Sequence, residues 1–112
     1  NGYTVTAQGD TLNSGTETIS AIGVVNTAIA TGTEQFGIRL NASGGSGVVS
    51  SPYAASGFAY AATATTSSQV AAASVGDNAT TTFSVRYIAN IAPTTPSATY
   101  TTSVVYVATA NF

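Results

Sequence analysis

The sequence predicts an all-β chain. Apolar and hydroxyl residues alternate with period two through most of it, Thr, Val and Ile dominate those runs, and Gly, Asn, Ser and Pro separate them. Helical periodicity is nearly absent. The one candidate, Val70–Ser74 with three consecutive Ala, is followed at once by Gly76 and a Thr-rich run. About seven or eight short strands between such turns predict an immunoglobulin-like antiparallel β-sandwich. The length, 112 residues, suits a single domain spanning residues 1–112.

The first strand places Tyr3, Val5 and Ala7 on one face and Thr4 and Thr6 on the other. A second runs Glu17–Val25, with Ile19 alternating with Ser20. Phe36, Ile38 and Leu40 form the clearest inward row, with Gln35, Arg39 and Asn41 outward, and the turn Gly44–Gly47 leads to Val48 and Val49. Residues 53–66 carry Tyr53, Phe58 and Tyr60 and contain one strand, while residues 41–52 and 61–68 are compositionally simple and read as loops. Thr82–Ile91 alternates strongly: Phe83, Val85, Tyr87, Ala89 and Ile91 on one side, Ser84, Arg86 and Asn90 on the other. Pro93 and Pro96 bound a turn, because a central strand cannot spare the amide that proline lacks. The last strand, Thr99–Ala110, alternates Tyr100, Thr102, Val104 and Tyr106. The predicted core is therefore Phe36, Ile38 and Leu40, then Phe83, Val85 and Tyr87, then Tyr100, Val104 and Tyr106.

Composition narrows function by exclusion. Charged residues are 5% of the chain, against roughly 25% in an ordinary soluble domain. His, Cys, Met, Trp and Lys are absent; the basic residues are Arg39 and Arg86, and the acids are Asp10, Glu17, Glu34 and Asp77. Without His or Cys there is no zinc site of the usual kind, no thiol nucleophile and no Ser-His-Asp triad. Two arginines and a net charge of −2 do not neutralise a run of phosphates, so nucleic acid is not a partner. No segment approaches the ~20 apolar residues of a membrane span. Neither an enzyme nor a cofactor is expected.

The four carboxylates stand apart in sequence: Asp10 and Asp77 follow Gly in turns, and Glu17 and Glu34 open strands. They read as solvated turn acids rather than as a catalytic pair or a calcium site. Arg39 and Arg86 fall on the polar faces of their strands, where cross-strand pairing with Glu34 or Glu17 is the expectation. The tyrosines alternate with the core face and read as packing residues. The sequons Asn41-Ala-Ser43 and Asn78-Ala-Thr80 are about what this Asn and Ser/Thr content gives by chance, although the many threonines offer sites for O-linked surface glycans.

Cohesion is the open question. Of the hydrophobic residues, 20 are Ala and 23 are Val, Ile, Leu or Phe, so the core is thin for this length and no disulfide supports it. Thr and Ser number 33, giving a hydroxyl-coated, near-neutral surface with little repulsion between copies. Burial against sister copies would supplement the core. Residues 1–9 are the expected contact: a strand at a chain end is free to complete a neighbour's sheet, with Tyr3, Val5 and Ala7 filling the acceptor. The lack of Lys rules out lysine-dependent isopeptide or sortase links, so the polymer is expected to be non-covalent. The chain does not begin with Met, which fits a processed or trimmed end.

Three stretches, TEQFGIRLNAS, GGSGVVSSPY and TTTFSVRYIANIAPTTPSATYTTSVVYVATANF, carry a resemblance. Across about residues 33–112 the chain resembles secreted Thr/Ser-rich β-sandwich surface proteins of the Patescibacteria (candidate phyla radiation) type. Those show a QFGxxL strand, matched by Gln35, Phe36, Gly37 and Leu40, and a YxxNI strand, matched by Tyr87, Asn90 and Ile91. Their closing YTTTLTYxATxxF strand is matched by Tyr100, Tyr106, Ala108 and Phe112, and is similar to the last strand of WxL-like domains and of some pilins. The chain departs at Ser97-Ala98, where those proteins carry Ala-Gly. The resemblance implies location and architecture: an extracellular or cell-surface homo-oligomer. The leading expectation is a structural subunit of a pilus-like filament or surface layer. The alternative is a monomeric adhesin or carbohydrate-binding module.

Overall fold

A computed structural model describes residues 1–112. The chain forms eight strands and no helix: β1 Gly2–Gly9, β2 Gly23–Thr27, β3 Gln35–Gly44, β4 Val48–Val49, β5 Phe58–Tyr60, β6 Thr63–Ala73, β7 Thr81–Asn90 and β8 Val105–Asn111. They build two four-stranded sheets in the orders β4-β6-β1-β8 and β2-β5-β3-β7, with every strand pair antiparallel. The sheets enclose one core in a body of 49 × 27 × 19 Å. This is the all-β sandwich that the alternation predicts.

The inward row of β3 is its centre: Phe36, Ile38 and Leu40 are buried, and Ile38 is only 1% exposed. Phe36 meets Tyr60 edge to face with ring centroids 4.9 Å apart, a geometry the ring quadrupoles favour. Val70 and Ala71 are wholly buried in β6. Val70 is the extra residue where the β1–β6 register slips between Val5 and Thr6, a bulge that turns two successive side chains out of strict alternation. Phe83, Val85, Tyr100, Val104 and Tyr106 pack half-buried against this centre. Tyr53, Tyr60, Val70 and Ile19 belong to the core as well, although the sequence pattern did not single them out as core residues.

Several expected boundaries move. Residues 61–68, read as a loop, are mostly strand: β6 starts at Thr63 and pairs with Gly9 of β1. Of the Val70–Ser74 stretch, Val70–Ala73 belongs to the same strand rather than to a helical turn, because β1 and β4 flank it with ladder partners, and Ser74 opens the turn that follows. The expected Glu17–Val25 strand splits. Thr18 and Ala21 make isolated bridges to Asn13 and Phe36, and Gly23, at φ 101°, breaks the extended run where β2 begins. The closing strand is shorter than Thr99–Ala110. Its first part touches β-structure only where Thr101 bridges Asn13, and the regular ladder begins at Val105 opposite Gln8.

Candidate functional site

The strand order leaves β7 and β8 with one flank each unpaired, and the two flanks lie on the same edge of the sandwich. Their closest tie is a single hydrogen bond between the hydroxyls of Tyr87 and Tyr106, 2.7 Å apart. Tyr106, Ala108 and Ala110 stand opposite Ala7, Val5 and Tyr3 of β1 and so share their core-facing side. Even so, Ala108 and Ala110 are exposed. Across from them Val85 is half-buried and Tyr87 is 53% exposed. The interior is open along this edge.

Tyr87 is thus a correction to the predicted core. Its position opposite Ile38 points it inward, but β7 is the last strand of its sheet and nothing beyond it closes the gap. Alternation fixes the face a residue points to. It does not fix how far the opposing layer extends.

The backbone of this edge is equally unpartnered. None of the backbone hydrogen bonds made outside the sheets involves a residue of β7 or β8. An open row of amides and carbonyls is a template for another strand, and proteins that avoid pairing guard it with charge, proline, bulges or short strands. β8 has none of these guards. Its sequence is VYVATAN, its ladder with β1 runs without a break over seven pairs, and Val105 and Val107 are 58% and 50% exposed.

The opposite edge is built differently. β4 has only two residues, and the chain after it crosses from one sheet to the other through residues 50–57. Asn26 straps that crossing down: its amide donates to the carbonyls of Pro52 and Ala54 at 2.9 and 2.7 Å, and its Oδ1 accepts from the Gly57 amide at 2.9 Å. Outside the strap, Val24, Val25, Ile29 and Val48 are all exposed. Apart from Val75 in the turn before β7, every large exposed apolar residue belongs to one of two opposed groups. Val24, Val25, Ile29 and Val48 flank β2 and β4, and Tyr87, Ile91, Val105, Val107 and Phe112 flank β7 and β8.

The residues expected to reach into a neighbour do otherwise in this chain. Tyr3, Val5 and Ala7 lie in β1, the inner strand between β6 and β8, paired on both flanks. Ala7 is buried, Val5 packs on the core, and Tyr3 meets Phe83 edge to face at 6.3 Å. The physical reason is register: β1 supplies the ladder partners of two long strands, and without it β8 would be cut off from β6. The long strands with a free flank are β7 and β8.

Two polar details hold the edges in place. Asp77 is no solvated turn acid: its carboxylate accepts from the Tyr3 hydroxyl at 2.9 Å, the Thr81 hydroxyl at 2.7 Å, and both the amide (2.6 Å) and the hydroxyl of Ser46. These donors, Ser46 and Thr81 first, hold its carboxyl well below the usual range. They join the start of β7, the turn before β4 and β1. Burial raises the Tyr106 hydroxyl far above its ordinary value, and its bond to Tyr87 adds to this. Burial, then the charge of Asp10, pushes Tyr60 up to about 12.

The arginines also differ from expectation. Arg39 and Arg86 are not paired with Glu34 or Glu17 but stand directly opposite each other on β3 and β7. Glu34 turns instead to the hydroxyls of Thr95 and Ser20, 2.8 and 3.4 Å away. Comparison with protein-family models, curated proteins and solved structures returns no match. The functional reading therefore rests on the molecule's own edges and surface.

Proposed function

We propose that this chain is an extracellular structural subunit whose copies associate side by side, without covalent links, into a pilus-like filament or surface layer. One observation carries the reading: apart from Val75, the large exposed apolar side chains are sorted onto two opposed edges, and one of those edges offers two long strands with a free flank each. Contact between unlike edges is heterologous, so each added copy presents a fresh edge to the next and the array does not close on itself. Contact between like edges, β8 on β8, would stop at a pair.

The chemistry of the surface supports the same reading. Copies meeting at β7 and β8 bring only one charge, Arg86, to the junction. The strand-to-strand bonds that form there satisfy backbone groups on both sides. Val105 and Val107, exposed in the single chain, become covered. A chain with 5% charged residues and a hydroxyl surface has little to oppose such contact. The extracellular setting rests on that composition and on the resemblance of residues 33–112 to secreted surface proteins.

Electron microscopy of the purified chain over a range of concentrations tests the proposal. Filaments or two-dimensional arrays are the expected result, and isolated particles at every concentration contradict it.

A further inference from the structure

We propose that Arg39 and Arg86 form a binding site for the carboxylate of an acidic sugar. The two residues are the whole basic complement of the chain, and the β3–β7 register sets them face to face as a cross-strand pair. Like charges in that position repel. The acids of the chain do not relieve them: Glu34 is held by Thr95 and Ser20, Asp77 by Ser46, Thr81 and Tyr3, and Glu17 acts on Tyr100. Asp10 lines a separate hollow at the other sheet, with Gln8, Asn13 and Thr102. Both arginines line one hollow, and no carboxylate of the chain lines it with them.

The geometry prepares them for one. Arg39 is fixed from two sides: its Nη1 donates to the Ser56 carbonyl at 2.7 Å, and its guanidinium lies 4.6 Å from the centre of the Phe58 ring. A guanidinium stacked this way keeps its remaining N–H groups aimed in a fixed plane. Arg86, on the exposed strand beside it, is free to close on the other oxygen of a carboxylate.

The surroundings favour a sugar as the carrier. The arginines line an open hollow of about 550 Å3, within the range of roughly 300–1,000 Å3 that small ligands occupy. Asn41 and Ser84, the next outward cross-strand pair, form its floor beside the arginines, and Ala55 and Ser56 form a wall. An amide and two hydroxyls supply neutral donors and acceptors for sugar hydroxyls, next to a paired positive charge for the acid group. The hollow is complete within one copy, and its Arg86 belongs to β7, the edge strand of the proposed junction, so ligand binding is measured at concentrations where the chain is monomeric.

Titration of the purified chain with glucuronate, glucose, acetate and sulfate, followed by NMR chemical shifts, tests the site. Glucuronate is expected to bind one to one and to shift resonances of Arg39, Asn41, Ser84 and Arg86, with sulfate competing. Glucose and acetate are each expected to bind at least tenfold more weakly, and Arg39→Gln and Arg86→Gln are each expected to weaken glucuronate at least tenfold. Arg86→Gln is exposed and should leave the fold intact, which its amide spectrum reports. Equal response to glucuronate and glucose, or unchanged affinity in both variants, overturns the proposal. Acetate equal to glucuronate overturns the sugar part. Loss of self-association in both variants, with no glucuronate binding in the parent, also overturns it and points to a carboxylate of a second copy.

Discussion

Tyr87 and Tyr106 share a hydrogen bond of 2.7 Å that joins the last strand of one sheet to the last strand of the other. Along the β7/β8 edge this is the contact that stands where a further strand would lie. Each ring points toward the core from its own strand, and the hydroxyls meet where the layers part. Replacing Tyr106 with Phe removes one side-chain hydrogen bond and is expected to cost about 0.5–1.5 kcal/mol. Tyr87→Phe should cost no more, since its ring is already half in solvent. Denaturant unfolding of the two variants measures both.

The same contact gives the fold an alkaline limit. The hydroxyls of Tyr106 and Tyr60 ionise higher in the folded chain than in the unfolded one, Tyr60 at about 12 against 10.0. Both groups therefore hold more protons when folded. Their contribution to stability is complete below pH 10 and is lost as pH rises through the folded values. Unfolding midpoints should fall steadily above about pH 10. Phenolate absorbance in the native chain should stop short of six tyrosines until the fold gives way. Free titration of all six near pH 10 would be inconsistent with the burial described.

Asp77 gives the opposite pH dependence. Its folded value lies below the ordinary 3.8 because Ser46, Thr81 and Tyr3 donate to its carboxylate. The stabilisation is present above the unfolded value and is lost as pH falls below it toward the folded one. Asp77→Asn is expected to lower the melting temperature by several degrees at pH 7 and to flatten its fall between pH 4 and pH 2. A variant with the parent's acid profile would remove Asp77 from that role.

Gly9 is required where the chain closes. A Cβ there would meet the Ser103 carbonyl oxygen and lie 2.6 Å from the Tyr60 hydroxyl and 3.2 Å from Val104 Cα. Two of these neighbours are backbone and cannot rotate aside. Gly9→Ala should destabilise by about 1–3 kcal/mol or more, and chemical denaturation reports it. Ile38→Ala, at the centre of the core, should cost about 2–5 kcal/mol.

Much of the sandwich was legible in the sequence, and particular residues show why. Phe36, Ile38 and Leu40 alternate with polar neighbours, and that row is the buried centre of β3. Thr82–Ile91 was expected as a strand, and β7 occupies Thr81–Asn90. The Thr63–Ser68 run was not legible, because its strand state comes from β1 alongside rather than from any apolar pattern of its own. Tyr87 shows the same limit, since its inward direction follows from alternation but its exposure follows from where the sheet ends. Arg39 and Arg86 were each placed on a polar face from sequence; only the register of β3 with β7 brings them together. The free flanks of β7 and β8 belong to strand order, which a pattern local to one strand does not carry.

Sedimentation velocity on the parent chain, Val107→Lys and Val24→Lys, over a wide concentration range, tests the central claim most directly. Val107 and Val24 are both exposed, on opposed edges, so neither lysine disturbs the core, and circular dichroism verifies the fold. The parent is expected to form large species as concentration rises. Each lysine variant should stop growth at a monomer or a small oligomer, because an unguarded flank has gained a charge. A parent that stays monomeric throughout, or large assemblies that survive both substitutions, would contradict assembly through these two edges.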